Sequence, residues 1–387
     1  MCQGIKCYSL PWTERTLFYI SLKIKLIRPS RQLFSKCFDN VDQQARVQFE
    51  KKTVQKIFRH GDKAGEAFGI YPSDPYINES YYPYGLGELT NKGKQNAYML
   101  GRKLRRIYHR IISDFYSPQS LYAASGPYSR TQASLQLVLA ALYPPKGTKM
   151  EWSSRLNWQP IAYEQLTDRT FQCPRISCDR FIKSYHEFLE SPEGQAVEEK
   201  YRREYDFISQ NTNLTVKKSE DLFFLYFTLL SEVEWGLAPP EWTKALPPNY
   251  LENIAKDFYV SSANSPLNKR MSGGILLKKI VDEMHSQIAK NQNKSKIFLY
   301  SGHEFSITYT LNALNVYHPH IPKYSSCILL EFHKTKGKYG VMVYYLESPA
   351  QEPRLLTIPG CEEFCEFKKF VTLLKDNIAT DEDECIL

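Results

Sequence analysis

The stretch TVQKIFRHGD, residues 53–62, decides the architecture. Its first six residues, Thr53–Phe58, are rich in β-formers and read as a strand, although the alternation is imperfect. The strand runs straight into Arg59-His60-Gly61. A second segment repeats the arrangement: KIFLYS (296–301) reads as a buried strand and ends in Gly302-His303-Glu304. In open α/β sheets, ligands gather just outside the carboxyl ends of strands. Two histidines at two strand ends, each beside a glycine and a charged residue, therefore point to one shared site. A single such histidine would more often be structural.

Working outward, residues 65–87 are rich in Gly, Pro and Tyr and read as a long loop. Thr90-Asn91 supplies a helix start, and Ala97, Leu100, Leu104 and Ile107 share one face to about Tyr108. Leu121–Ala124 is a short strand, and Ser129–Leu142 an apolar helix stopped by Pro144-Pro145. Helical patterns at 178–190, 194–208 and 219–234 follow, with few strand signals. Alternation then returns: a helix over 274–289, the strand at 296–301, a helix through Leu314, strands at 325–332 and 339–347, and a helix near 362–376. This order predicts an α/β protein with a mixed central sheet, helices on both faces and an inserted, mainly helical cap. The expected divisions are 1–47 outside the fold, 48–154 and 261–387 as the core, and 155–260 as the cap.

The chain has 387 residues, with 50 Lys+Arg against 42 Asp+Glu and a formal charge of +8. Hydrophobic residues make up 42%, which excludes a largely disordered chain. No stretch approaches the roughly 18 apolar residues of a membrane span. The basic residues scatter, apart from Arg102–Arg106, so a nucleic-acid partner is not expected. A modest positive excess suits an anionic small-molecule substrate. None of the nine cysteines forms a C-x₂-C pair and no histidine pair completes a zinc site, so no metal is expected. Sequons at Asn78, Asn213 and Asn293 favour a secreted glycoprotein. Against this, the apolar run at 16–22 is cut by Lys23 and Lys25, and no signal peptide is readable.

FRHGD (58–62) resembles the R-H-G-x-R-x-P signature of the histidine acid phosphatases, in branch 2 of the histidine phosphatase superfamily. ELTNKGKQNAYMLG (88–101), SRTQASLQLVLAALYPP (129–145), LNWQPI (156–161), YSGHE (300–304) and PGCEEFC (359–365) follow in the order that family shows. Several of these look most like the venom acid phosphatases of bees, wasps and ants. The resemblance implies an acid phosphatase that hydrolyses phosphate monoesters through a phosphohistidine, with no cofactor. It implies His60 as nucleophile, Glu304 as proton donor, and Arg59, Lys63, Arg130 and His303 as phosphate ligands. Such residue types suit phosphoryl transfer: cations keep a histidine lone pair free and stabilise the equatorial oxygens. The resemblance further suggests disulfides Cys361–Cys365 and Cys178–Cys385, with phosphate monoesters or phosphorylated peptides as partners and a homodimer as assembly.

Two positions depart from the signature: Lys63 stands for Arg and Gly65 for Pro. Lysine keeps the charge but lacks the planar fork, a loss on the order of 1–3 kcal/mol in the transition state. Gly65 is expected to loosen the loop that carries Lys63. The alternative function is thus a weakened or inactive secreted protein of this fold that binds phosphorylated ligands. A mutase or phytase of the same superfamily is a further alternative.

Overall fold

The computed structural model describes residues 50–166, 178–289 and 295–380. Strand β1 (Glu50–Arg59) lies in the middle of the sheet. Parallel to it on one side is β4 (Ile297–Gly302), then β2 (Leu121–Ser125) and the short β3 (Glu164–Gln165). On the other side the antiparallel strands β5 (Cys327–Thr335), β6 (Lys338–Leu346) and β7 (Arg354–Leu356) follow in turn, with β8 (Cys365–Glu366) also paired to β6. The sheet is therefore mixed, as the sequence predicts.

Alternation along β1 divides the core. Val54 and Phe58 face a layer with Leu100 and Leu104 of α1 (Asn91–Tyr108) and Leu135 and Val138 of α2 (Ser129–Leu142). Ile57 faces the opposite layer, against α8 (Ile275–Ile288), α9 (Glu304–Ala313) and α10 (Phe367–Leu374). Between β3 and β4 in sequence run α3 (Asp179–Leu189), α4 (Pro192–Glu199), α5 (Tyr205–Thr212), α6 (Phe223–Trp235) and α7 (Tyr250–Ser261). Phe181, Phe223 and Phe258 from these helices pack against Phe305 and Tyr309 of α9. This brings the helical segment to the same strand ends that carry the histidines.

The helix expected over 194–208 is two helices, α4 and α5. The break turns Tyr201 and Tyr205 inward, where their hydroxyls donate to Asp257 and Glu198. The helix expected from 362 begins only at Phe367, because the Cys361–Cys365 disulfide and the pairing of β8 with β6 claim the preceding residues. Helix α7 was not anticipated.

Candidate active site

The parallel pairing of β1 and β4 sets Arg59 opposite Gly302, and the His60 N–H donates to the Gly302 carbonyl (2.9 Å). Both chains leave the sheet at this level. The two imidazoles stand edge to face with centroids 5.3 Å apart. Beyond His60 the backbone presses against the first turn of α1. A Cβ on Gly61 would lie 2.2 Å from the Gly93 carbonyl oxygen, and one on Gly93 would lie 2.0 Å from that of Asp62. Thr90, the N-cap, accepts from Gly93 N–H and donates to the Asp62 carbonyl, tying helix and loop together. Gly61 N–H in turn donates to the Ser134 hydroxyl of α2 (3.0 Å).

His60 is buried, and its Nδ1 lies 2.8 Å from the Gly61 carbonyl. A carbonyl only accepts, so Nδ1 carries the proton and Nε2 keeps a lone pair. Burial is the larger cause holding the imidazole well below its ordinary pKa; Arg130, His303 and Arg59 add to it. His303, also buried, is held down by burial and then by Arg130, Arg59 and Lys63. Its Nε2 has no hydrogen-bond partner among the described residues.

The cations come from three elements. Arg59, the last residue of β1, donates to the Pro322 carbonyl (2.6 Å), places Nε 3.3 Å from Glu304 and stacks 4.0 Å from the Tyr324 ring centroid. Arg130 stands in the first turn of α2, just beyond the end of β2 and over the ring of Tyr128, and is buried rather than solvent-exposed. Lys63 is fixed by a β-bridge to Leu89. Glu304 opens α9, where the helix dipole favours a carboxylate. A small cavity of about 40 Å³ is lined by Arg59, His60, Lys63, Arg130 and Glu304, so it gathers five of the six residues singled out.

Sequence reasoning missed two contributors. Glu66 lies 3.2 Å from Lys63 Nζ and 2.6 Å from an Arg130 terminal nitrogen, bridging both. Its spacing of three from Lys63 was the available signal. The other is an apolar wall of Phe68, Phe223, Phe224 and Phe227, three of which lie far along the chain in α6. Only packing brings them here.

Gly65 corrects an expectation. It does not loosen its loop: it is buried, and a Cβ there would fall 2.3 Å from the Tyr81 ring. The Ala64 N–H donates to the Glu88 carbonyl alongside (2.9 Å), so the loop is held.

His60, His303 and Glu304 place ligand atoms within 4.8 Å of one another, a separation that a metal ion would also accept. Three cations crowd the same space, and their field opposes a divalent cation and favours an anion. The donor set fits phosphate better than metal.

Cys361–Cys365 is formed. Cys178 is disulfide-bonded, while Cys385 and Cys173 lie outside the described residues; Cys327 is a buried free thiol. Asn78 and Asn213 are exposed, and Asn293 lies outside the described residues. Among the described residues no helix is long and apolar enough to cross a membrane.

A strand-end histidine pair beside two arginines and a lysine, on a mixed sheet of this order, defines a class, and comparison gives the same one. The description "Histidine phosphatase superfamily (branch 2)" matches residues 34–346, and the chain belongs to that family. Among individual proteins it is 40% identical over 344 residues to the venom acid phosphatase Acph-1 of Apis mellifera, covering 87% of this chain and 88% of that one. It is 31% identical over 348 residues to human prostatic acid phosphatase, with 87% and 88% covered. The Hafnia alvei phytase structure superposes with a TM-score of 0.64 at 16% identity, covering 89% of this chain and all of that one, which speaks to fold alone.

Proposed function

We propose that this chain is an acid phosphatase that hydrolyses phosphate monoesters through a phosphohistidine. One observation carries the reading: His60 holds its Nδ1 proton on the Gly61 carbonyl and so keeps Nε2 unprotonated, in a cavity lined by Arg59, Lys63, Arg130 and Glu304. Nε2 attacks phosphorus as the ester oxygen departs. Arg59, Lys63, Arg130 and His303 hold the equatorial oxygens, where charge accumulates. Glu304 protonates the leaving alcohol, then takes a proton from the water that splits the phosphohistidine. The low pKa of His60 lets this nucleophile work in acid, where a free imidazole of pKa ~6.5 would be protonated.

The phenylalanine wall supports leaving groups with an apolar or aromatic body, including phosphorylated peptides, and the helical segment that carries Phe223, Phe224 and Phe227 acts as a cap over the site. The Cys361–Cys365 disulfide, the exposed sequons and the venom relative support secretion. The exposed Met150, Trp152, Leu156 and Trp158 offer a surface for a homodimer, which light scattering would weigh. Lys63 in place of arginine favours a slower enzyme as the second reading.

The test is hydrolysis of p-nitrophenyl phosphate across pH ~4–8, without added metal, comparing the natural chain with His60→Ala. Turnover at acid pH that disappears in the variant is expected. No turnover by folded natural protein would sink the proposal.

A further inference from the structure

Glu66 has no part in the steps above, yet it stands inside the site. Its two carboxylate oxygens reach Lys63 (3.2 Å) and Arg130 (2.6 Å), and its side chain lines the same cavity as His60. These are two of the cations assigned to the phosphate. The third, Arg59, is paired with Glu304. His60 and His303 are held neutral. On its far side Arg59 also faces Tyr259, Tyr324 and Glu234, whose carboxyl burial pushes up, with the Asp62–Lys92 ion pair beyond. Among the charged groups that line the cavity itself, three cations against two carboxylates leave one net positive charge where the phosphate must enter.

We propose that Glu66 selects the ionic form of the ligand: by cancelling one cation it matches the pocket to a phosphate monoester carrying a single negative charge and disfavours the dianion. The proposal rests on the anion-binding reading of this site. Phosphate monoesters exchange monoanion for dianion near pH ~6, so the match would confine tight binding to acid conditions. Burial pushes the Glu66 carboxyl up, but Lys63 and Arg130 outweigh it and hold it below the ordinary range, so it stays charged across that interval.

The chemistry balances on these terms. A monoanionic ester brings its own proton, which passes from a phosphoryl oxygen to the Glu304 carboxylate. Glu304 then delivers it to the ester oxygen as the P–O bond breaks and the bond from His60 Nε2 to phosphorus forms. The loaded site has the same total charge whichever oxygen holds the proton, so Glu66 sets a requirement on the complex rather than on one atom.

Titration calorimetry with inorganic anions tests this without turnover. Sulfate stays dianionic between pH ~5 and ~8, whereas orthophosphate passes from monoanion to dianion. For the natural chain, orthophosphate binds on the order of tenfold more tightly than sulfate at the acid end, and its affinity falls as pH rises. Glu66→Gln strengthens sulfate binding by a similar factor and flattens the decline of orthophosphate. Sulfate binding that is unchanged or weaker in the folded variant overturns the proposal. So does orthophosphate affinity that rises with pH in the natural chain, a result that needs no variant. Absence of phosphatase turnover would leave these binding outcomes readable, so the two readings fail separately.

Discussion

Lys63 and Gly65 show how differently two departures from one signature behave once packed. Lys63 still points its ammonium into the site, held by Glu66, and what it lacks is the second nitrogen of a fork. Lys63→Arg should raise kcat/KM for p-nitrophenyl phosphate by about tenfold, and an unchanged value would show that the fork is not limiting. Gly65 is a different matter, because the Tyr81 ring occupies the space a Cβ needs. Gly65→Pro should therefore lower Tm by several degrees, an overpacking cost of about 1–3 kcal/mol. Adding Tyr81→Ala should recover part of that loss. If Gly65→Pro alone is neutral in a melt, the ring contact is not the constraint. A signature compared position by position cannot show this, since Tyr81 lies sixteen residues away in a loop of no regular pattern.

The element that matters most is the joint between β1 and α1. The strand was legible because its residues are β-formers, and the helix because Thr90 caps an apolar stripe. That the two backbones touch at Gly61, Asp62 and Gly93 was not legible, since glycine has many uses. Gly93→Ala should force this joint apart, lowering Tm and reducing kcat far more than KM, because His60 sits one residue from the displaced backbone. Melting curves with steady-state kinetics decide; a variant that loses stability but keeps kcat would separate the joint from catalysis. The same limit explains the broken helix at 192–212. Its apolar pattern is helical throughout, but tyrosine hydroxyls that must reach Asp257 and Glu198 set the turn between its halves.

Across the whole molecule, the tyrosine-rich loop is fastened to the helical segment by a pair of carboxyl groups. Glu232 of α6 and Asp74 of the loop are both buried and interact, with Tyr71 and Tyr81 close by. Burial first, then the charge of Asp74, pushes Glu232 up to about 8 from an ordinary 4.5. The folded protein thus keeps a proton that the unfolded chain releases, so this pair's contribution is full below about 4.5 and is lost as pH rises toward about 8. Glu232→Gln should melt close to the natural protein at acid pH and progressively above it toward pH 8. A Tm difference that does not change with pH would refute the shared proton. His60 and His303 act in the opposite sense: held neutral in the fold, they cost stability as pH falls below the ordinary imidazole range.

The sequence by itself determined the strands that end in histidine and the helices that alternate with them, because each is written in local periodicity or in a short motif; the basic residues of the site were named only through the family resemblance. Glu66, only three residues from Lys63, was within reach of the same reading. Tertiary structure alone decided that Arg59, Lys63, Arg130 and Glu304 meet around one small cavity, that phenylalanines of α6 wall it, and that Gly65 is locked by Tyr81. These are contacts between segments distant in sequence or joined by irregular loops. Their geometry comes from close packing of the whole fold, which no single stretch encodes.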